Sequence, residues 1–263
     1  MGIHVHKTGL VKTLGQQSDA IVTTNLIGNF DPTAGIASTH WTNQVGSGGG
    51  GLGEEGGEGE EGGSSTALRR FNGITFNTSA PKNFQFDGTN DYLGEASSGY
   101  GGTAFTMNTN AAFTIAQWYK HKFNFRHIAF SLIYGAADIV TLSTAEFVVN
   151  KYSAITLAGR IDFDYTFANN TWYYIALVYD GSNGYSFYVN GSFVGSGTVS
   201  TGSLAGLTVQ IGKLAGNTFT QSGIKVGNIH AYSSALGGSA LRQNFLATQS
   251  INDARTYGAN YTA

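Results

Sequence analysis

Residues 172–179 read WYYIALVY and end at Asp180-Gly181. Short runs of the same kind recur along the chain: FTIAQWY at 113–119, IDFDYTF at 161–167, YSFYV at 185–189 and LTVQI at 207–211. Each is rich in aromatic and β-branched residues, and several alternate with a period of two. Each is bounded by turn-forming residues, which is the signature of strands. The breaks between them are equally specific. Asp180-Gly-Ser-Asn-Gly184 separates two runs, and Asn190-Gly191 reverses the chain again, because Asn-Gly accepts the positive φ angles of a tight hairpin. Asp87-Gly88 does the same earlier. Many strands at such spacing predict an all-β sandwich or barrel. The best helical window is 239–247, with Leu241, Phe245 and Leu246 on one face, predicting a short helix or lid after the last strand.

Composition narrows the function classes. The 263 residues fit one large β-sandwich, and 41% hydrophobic content is ample for a core. There is no cysteine, hence no disulfide framework, thiolate cluster or cysteine nucleophile. A formal charge of −2 gives no nucleic-acid footprint. No stretch reaches the ~18 apolar residues of a membrane span, and the opening MGIHVHKTGLVK has no apolar h-region, so neither a membrane nor a signal peptide is expected. Composition breaks sharply at 46–63, where 11 Gly and 5 Glu stand among 18 residues. Removing those five from 16 acidic residues leaves 11 against 14 basic ones, so the sign of the charge comes from this tract. It reads as a solvated acidic loop, with pairing to a neighbouring subunit as the alternative. The organisation expected is an N-terminal arm at 1–19, a sandwich at 20–250 and a tail at 251–263.

Several phrases then line up in order. They are FQFDGTNDYL (84–93), FTIAQWY (113–119), WYYIALVYDG (172–181), YSFYVNG (185–191), VQIG (209–212) and GIKVGNIHAYSSAL (223–236). This succession resembles the laminin-G-like (concanavalin A-like lectin/glucanase) jelly-roll superfamily over about residues 84–247. The resemblance implies an antiparallel two-sheet jelly-roll sandwich with a short helix near its C-terminus. A second resemblance precedes it: AIVTTNLIGNFDP (20–32) and THWTN (39–43) look like the lead-in of laminin-G-like proteins of tailed-phage particles. That one implies a virion structural or decoration protein, on capsid or tail, with other virion proteins as partners and a homo-oligomeric or particle-bound state. Trp118 and Trp172, each with apolar alternate neighbours, are expected to face the inter-sheet core. Gly212 after Ile211 suits a bulge or close backbone approach.

Because the superfamily includes glycoside hydrolases, paired carboxylates matter. Retaining hydrolysis needs two carboxyl groups ~5–5.5 Å apart. Beyond residue 61 only Glu95 and Glu146 remain as glutamates, far apart in sequence. Asp162 and Asp164 share a strand face but read as the solvent side of a strand whose other face carries Ile161, Phe163 and Tyr165. The chain is therefore expected not to be an enzyme. Asp87, Asn90 and Asp91 cluster in one turn as the candidate Ca²⁺ ligands, with turn formation explaining them equally well. His4 with His6, and His121 with His127, lack matched partners for zinc. No P-loop or dinucleotide motif is present. Tyr92, Tyr100, Tyr152 and Tyr232 are the candidate contacts to host or environmental glycans or to protein partners; Tyr185, Tyr257 and Tyr261 also fall near expected loops. Two functions stay open, a virion protein attached by its terminal segments and a carbohydrate-binding adhesion module, with a glycoside hydrolase using Asp162 and Asp164 as the less favoured third.

Overall fold

The computed structural model describes residues 20–38, 40–45, 67–94, 105–122, 128–134, 137–144, 152–156, 158–214 and 223–252. The strands are β1 (Leu26–Phe30), β2 (His40–Thr42), β3 (Ala67–Phe71), β4 (Thr75–Asn77), β5 (Asn83–Gln85), β6 (Tyr92–Gly94), β7 (Phe113–Lys120) and β8 (Ile128–Tyr134). They continue as β9 (Ala137–Thr144), β10 (Tyr152–Thr156), β11 (Gly159–Phe163), β12 (Trp172–Tyr179), β13 (Gly184–Val189), β14 (Ser192–Thr198), β15 (Thr208–Ile211) and β16 (Lys225–Tyr232). One helix, α1 (Gly238–Asn252), follows.

Two antiparallel sheets face each other. The first runs β14-β13-β12-β7-β16-β5-β4, with β1 also on β16; the second runs β11-β10-β9-β8-β15-β6-β3-β2. Between them lies an aromatic-rich core in which Tyr152 packs on Phe187 (5.8 Å between ring centroids) and Phe163 on the same Phe187 at 5.0 Å. Gln117 reaches across this core and donates to the Ala129 carbonyl of the opposite sheet at 3.1 Å. The lead-in belongs to the sandwich. Trp41 sits between Phe30 and Phe84, and its indole N–H donates to the Asp31 carbonyl at 3.0 Å. Asn43 ties down β1, accepting from Asn29 N–H (2.8 Å) and donating to the Ile27 carbonyl (2.8 Å).

The expected hairpin at Asn190-Gly191 forms, with φ of 52° and 77°. The Asp180 carboxylate accepts from the backbone of Ser182 and Gly184, at 2.6 and 2.9 Å, to close the preceding turn. Gly212 has φ 83°, and a Cβ there would run into the Phe86 ring, so the close approach is real.

Three expectations are corrected. Trp118 and Trp172 do not face the inter-sheet core. They lie on the outer side of the first sheet, clustered with Tyr174, Ala176, Leu241 and Phe245 beneath α1. Alternation separates the two faces of a strand without saying which is inner, and here both are apolar because the helix covers the outer one. All eight residues of β12 are buried as a result. The helix is accordingly longer than 239–247, at 15 residues, and Trp118 donates to Thr248 Oγ1 at 2.7 Å. The run 161–167 also stops being a strand at Phe163. Beyond it Phe167 turns into an aromatic knot with Tyr152 and Tyr173, and the Tyr173 hydroxyl accepts from Ala168 N–H at 2.7 Å.

Candidate functional site

The outer face of the second sheet is the face that α1 does not cover, and its β3–β6 end is half-buried rather than buried. On β3 and β6, Leu68 and Leu93 enter the core, so alternation turns Arg69, Phe71 and Tyr92 outward. Phe71 and Tyr92 are direct cross-strand partners. Their rings stack at 4.2 Å with 3° between planes. The Arg69 guanidinium lies 5.3 Å from the Phe71 centroid and the Lys213 ammonium 4.4 Å from that of Tyr92. All four side chains are half-buried. Burial pushes the Tyr92 phenol up from its ordinary value, and the Arg69 charge works against that shift. Lys213 reaches the ring because Gly212, at positive φ, bends the chain just after β15.

Beside this stack, and sharing Arg69 with it, runs a row that crosses the whole sheet. Arg160, Ile155, Thr141, Ser131, Gln210, Gly94, Arg69 and His40 are successive register partners on all eight strands. Its centre is polar but buried: Ser131 lies 3.2 Å from Thr141 Oγ1 and donates to Asp138, and Gln210 Oε1 has no hydrogen-bond partner. Gly94 opens the row beside Tyr92; a Cβ there would sit 3.2 Å from Gln210 Cγ. In the parallel row, Ser153 donates to Asp162, whose other oxygen is 2.8 Å from Arg160 Nη2. Asp162 is exposed, and Asp164, also exposed, lies past the end of β11. Phe71, Arg69 and Lys213 were not singled out from sequence; the signal was the alternation of ALRRF at 67–71, whose aromatic and cation share one face.

The acidic turn borders the stack. Asp87 Oδ1 accepts from Thr89 N–H (2.7 Å) and Asn90 N–H (3.4 Å), while Asp91 Oδ2 accepts from Asp87 N–H at 2.9 Å. The Asn90 carbonyl accepts from Asn72 Nδ2 at 2.7 Å. Asp91 is 3% exposed, its Oδ1 has no hydrogen bond, and burial raises its carboxyl above the usual range, with the Asp87 backbone bond opposing. The carboxylate oxygens engaged here, Asp87 Oδ1 and Asp91 Oδ2, close the turn on its own backbone amides. They fall short of the six to eight ligands that Ca²⁺ takes, and among the described residues no group of three or more His, Cys, Asp or Glu could hold a metal.

Of the tyrosines named as contacts, only Tyr92 lies at the described surface. Tyr152 is fully buried among Phe167 and Phe187, and its phenol is pushed well up by burial. Tyr232 is also fully buried: it donates to the Val22 carbonyl (3.0 Å) and accepts from Asn244 Nδ2 (2.8 Å), clasping the entering chain to α1. Both are buried rather than surface contacts: Tyr152 lies in the inter-sheet core, and Tyr232 lies on the outer side of the first sheet, between the entering chain and α1. Tyr185 is buried as well. Tyr100, Tyr257, Tyr261, Glu95, His4, His6, His127 and the 46–63 tract lie outside the described residues, and so does Glu146.

The family model of the concanavalin A-like lectin/glucanases superfamily matches residues 87–240, more than half of the chain. The chain belongs to that superfamily. Its members' sandwich is also what solved structures share with it. A Trypanosoma rangeli sialidase aligns at 17% identity over 89% of this chain and 34% of its own, with a TM-score of 0.60. The binding domain of botulinum neurotoxin serotype G aligns at 14% identity over 86% and 52%, with a TM-score of 0.61. The receptor binding domain of a botulinum neurotoxin C/D mosaic serotype aligns at 11% identity over 84% and 51%, with a TM-score of 0.57. The chain thus spans about a third to a half of the structures it matches, and at such identities the likeness is one of fold. No curated protein matches the sequence. No helix among the described residues is long and apolar enough to cross a membrane.

Proposed function

We propose that this chain is a non-catalytic carbohydrate-recognition module, displayed on a phage particle, that binds glycan through the outer face of its second sheet. The observation that carries the reading is the Phe71–Tyr92 stack held between Arg69 and Lys213. Sugar-binding sites pair ring surface with a few well-placed polar groups, and two cations beside the rings favour acidic sugars. The absence of catalysis is supported by Asp162, whose carboxylate is already engaged by Ser153 and Arg160. The test is a glycan array followed by titration of the best hit, with sialylated and uronate oligosaccharides included. Wild-type protein binds, and Tyr92→Ala weakens binding at least ~10-fold with an unchanged circular-dichroism spectrum, the scale of one lost aromatic contact. EDTA leaves binding as it was, and no reducing sugar is released. A wild-type protein that binds no glycan, or a Tyr92→Ala variant that binds equally well, overturns the reading.

Display on a particle is favoured by a separate observation. The resemblance of residues 20–43 to phage lead-ins is joined by the way Ala20 and Val22 dock on α1: Gln243 donates to the Ala20 carbonyl (2.8 Å), and Val22 N–H donates to Asn244 Oδ1 (2.7 Å). The described chain thus enters beside its helix, on the face opposite the stack. Attachment to capsid or tail neighbours from that side leaves the stack pointing outward. Cryo-EM of particles carrying the protein tests this: density is expected with α1 toward the particle, and an arrangement with the stack buried against a neighbour contradicts it.

A further inference from the structure

Among the described residues, β14 is the last strand of the first sheet and pairs on one side only, with β13. Its sequence, SFVGSGT, contains neither charge nor proline. Exposed edges normally carry charges, proline or extreme shortness, because their unpaired N–H and C=O groups template further strands. The other described margins are short, charged or covered: β2 and β4 have three residues each, β11 bears the Arg160–Asp162 ion pair, and the free edge of β1 is bonded by Asn43 and Gln44. β14 does not. It is bulged near its start, where the register shifts opposite Phe187/Tyr188, but the pairs from Gly195 to Thr198 are regular.

The side chains of β14 are arranged for close approach. Gly195 and Gly197 face inward onto β11, where added Cβ atoms would sit 3.6 Å from Phe163 Cδ1 and 2.8 Å from Ile161 Cγ2. Ser196 and Thr198 face outward and are exposed. Phe193, at the start of the strand, is 57% exposed, among the largest exposures of any big apolar side chain described.

We propose that β14 pairs antiparallel with β14 of a second copy of this chain, joining two first sheets into one continuous sheet across a two-fold axis. Strand addition draws affinity from the backbone and selectivity from side-chain pockets or charges beside the edge. β14 offers no charge to select a foreign strand, and glycines stand where pockets would be. A second copy supplies the same neutral, narrow strand, so no like charges meet across the axis, and an isologous contact is self-complementary. The register that sets Gly195 opposite the partner's Gly197 keeps the glycines on the inner face and puts the axis at Ser196. The Phe71–Tyr92 stack lies on the other sheet, toward its β2 margin, so pairing leaves both stacks open and makes the assembly bivalent.

The chain has no cysteine, so single substitutions report the contact cleanly. In analytical ultracentrifugation the wild type is expected at twice its 27.7 kDa mass, and Ser196→Lys at the monomer mass with an unchanged circular-dichroism spectrum. Under mild oxidation Ser196→Cys becomes a disulfide-linked dimer, since residues on the axis lie within the ~4.4–6.8 Å Cα separation a disulfide spans. Thr198→Cys does not, because its two copies stand about 13 Å apart along the strands. If Ser196→Lys fails to fold, the two cysteine variants still decide. A monomeric wild type, a folded Ser196→Lys that stays dimeric, or Thr198→Cys cross-linking as readily as Ser196→Cys overturns the proposal.

Discussion

Gly191 and His230 show how much single residues decide in this sandwich. At Gly191 φ is 77°, and an added Cβ would run into the backbone of Arg242, 2.7 Å from its nitrogen, so the hairpin and α1 meet through a position open only to glycine. Gly191→Ala is expected to cost about 2 kcal/mol, the sum of a strained φ and a displaced helix, as read from urea denaturation. Asn-Gly announced the turn in the sequence; that a helix would press on it was not visible there. His230 is fully buried on the outer side of the first sheet, with Nδ1 2.8 Å from the Tyr174 hydroxyl. Burial lowers its pKa from 6.5 to about 4, against the opposing charge of Asp31. The unfolded chain therefore takes up a proton near pH 6.5 while the folded one does not until about pH 4. The stability this histidine contributes above pH 6.5 is lost as the pH falls through that window, by up to ~1.4 kcal/mol per pH unit. A His230→Gln variant is expected to show a flatter stability profile there, and a profile identical to the wild type would show that His230 is not the buried neutral group described. Nothing in the phrase GNIHAY distinguishes such a histidine from a surface one, because burial here depends on α1 and β1, both remote in sequence.

At the scale of elements, strand existence is what the sequence states best. WYYIALVY and YSFYV appear as β12 and β13 nearly to the residue, because their alternation and their Asp-Gly and Asn-Gly punctuation are local properties. Inside and outside are not local. Trp118 was expected between the sheets and lies instead under α1, packed on Phe245 at 5.4 Å. That helix is short on sequence signal, with no acidic residue in its first turn and no basic one in its last. Packing on the aromatic outer face of β7 and β12 holds it. Phe245→Ala is expected to destabilise the fold by about 3–5 kcal/mol and to shift tryptophan emission to the red as water reaches Trp118. An unshifted emission spectrum would mean that the helix does not seal this face. The aromatic stack was half legible for a related reason: Tyr92 stands in the FDGTNDY phrase, whereas Phe71 and Arg69 become its neighbours only through the pairing of β3 with β6.

The whole molecule has two unlike faces. One is closed by α1 and clasps the entering chain through Tyr232, Asn244 and Val22. The other presents a register-matched row beside stacked rings held between two cations. The division of labour proposed for these faces, attachment behind and glycan in front, is a property of neither sheet alone. Its most direct test is amide chemical-shift mapping of the labelled protein during titration with an acidic oligosaccharide. Perturbations confined to Arg69, Phe71, Tyr92, Gly94, Gln210 and Lys213, with α1 silent, are the expected result. Perturbations centred on α1, or none at saturating sugar, would contradict it.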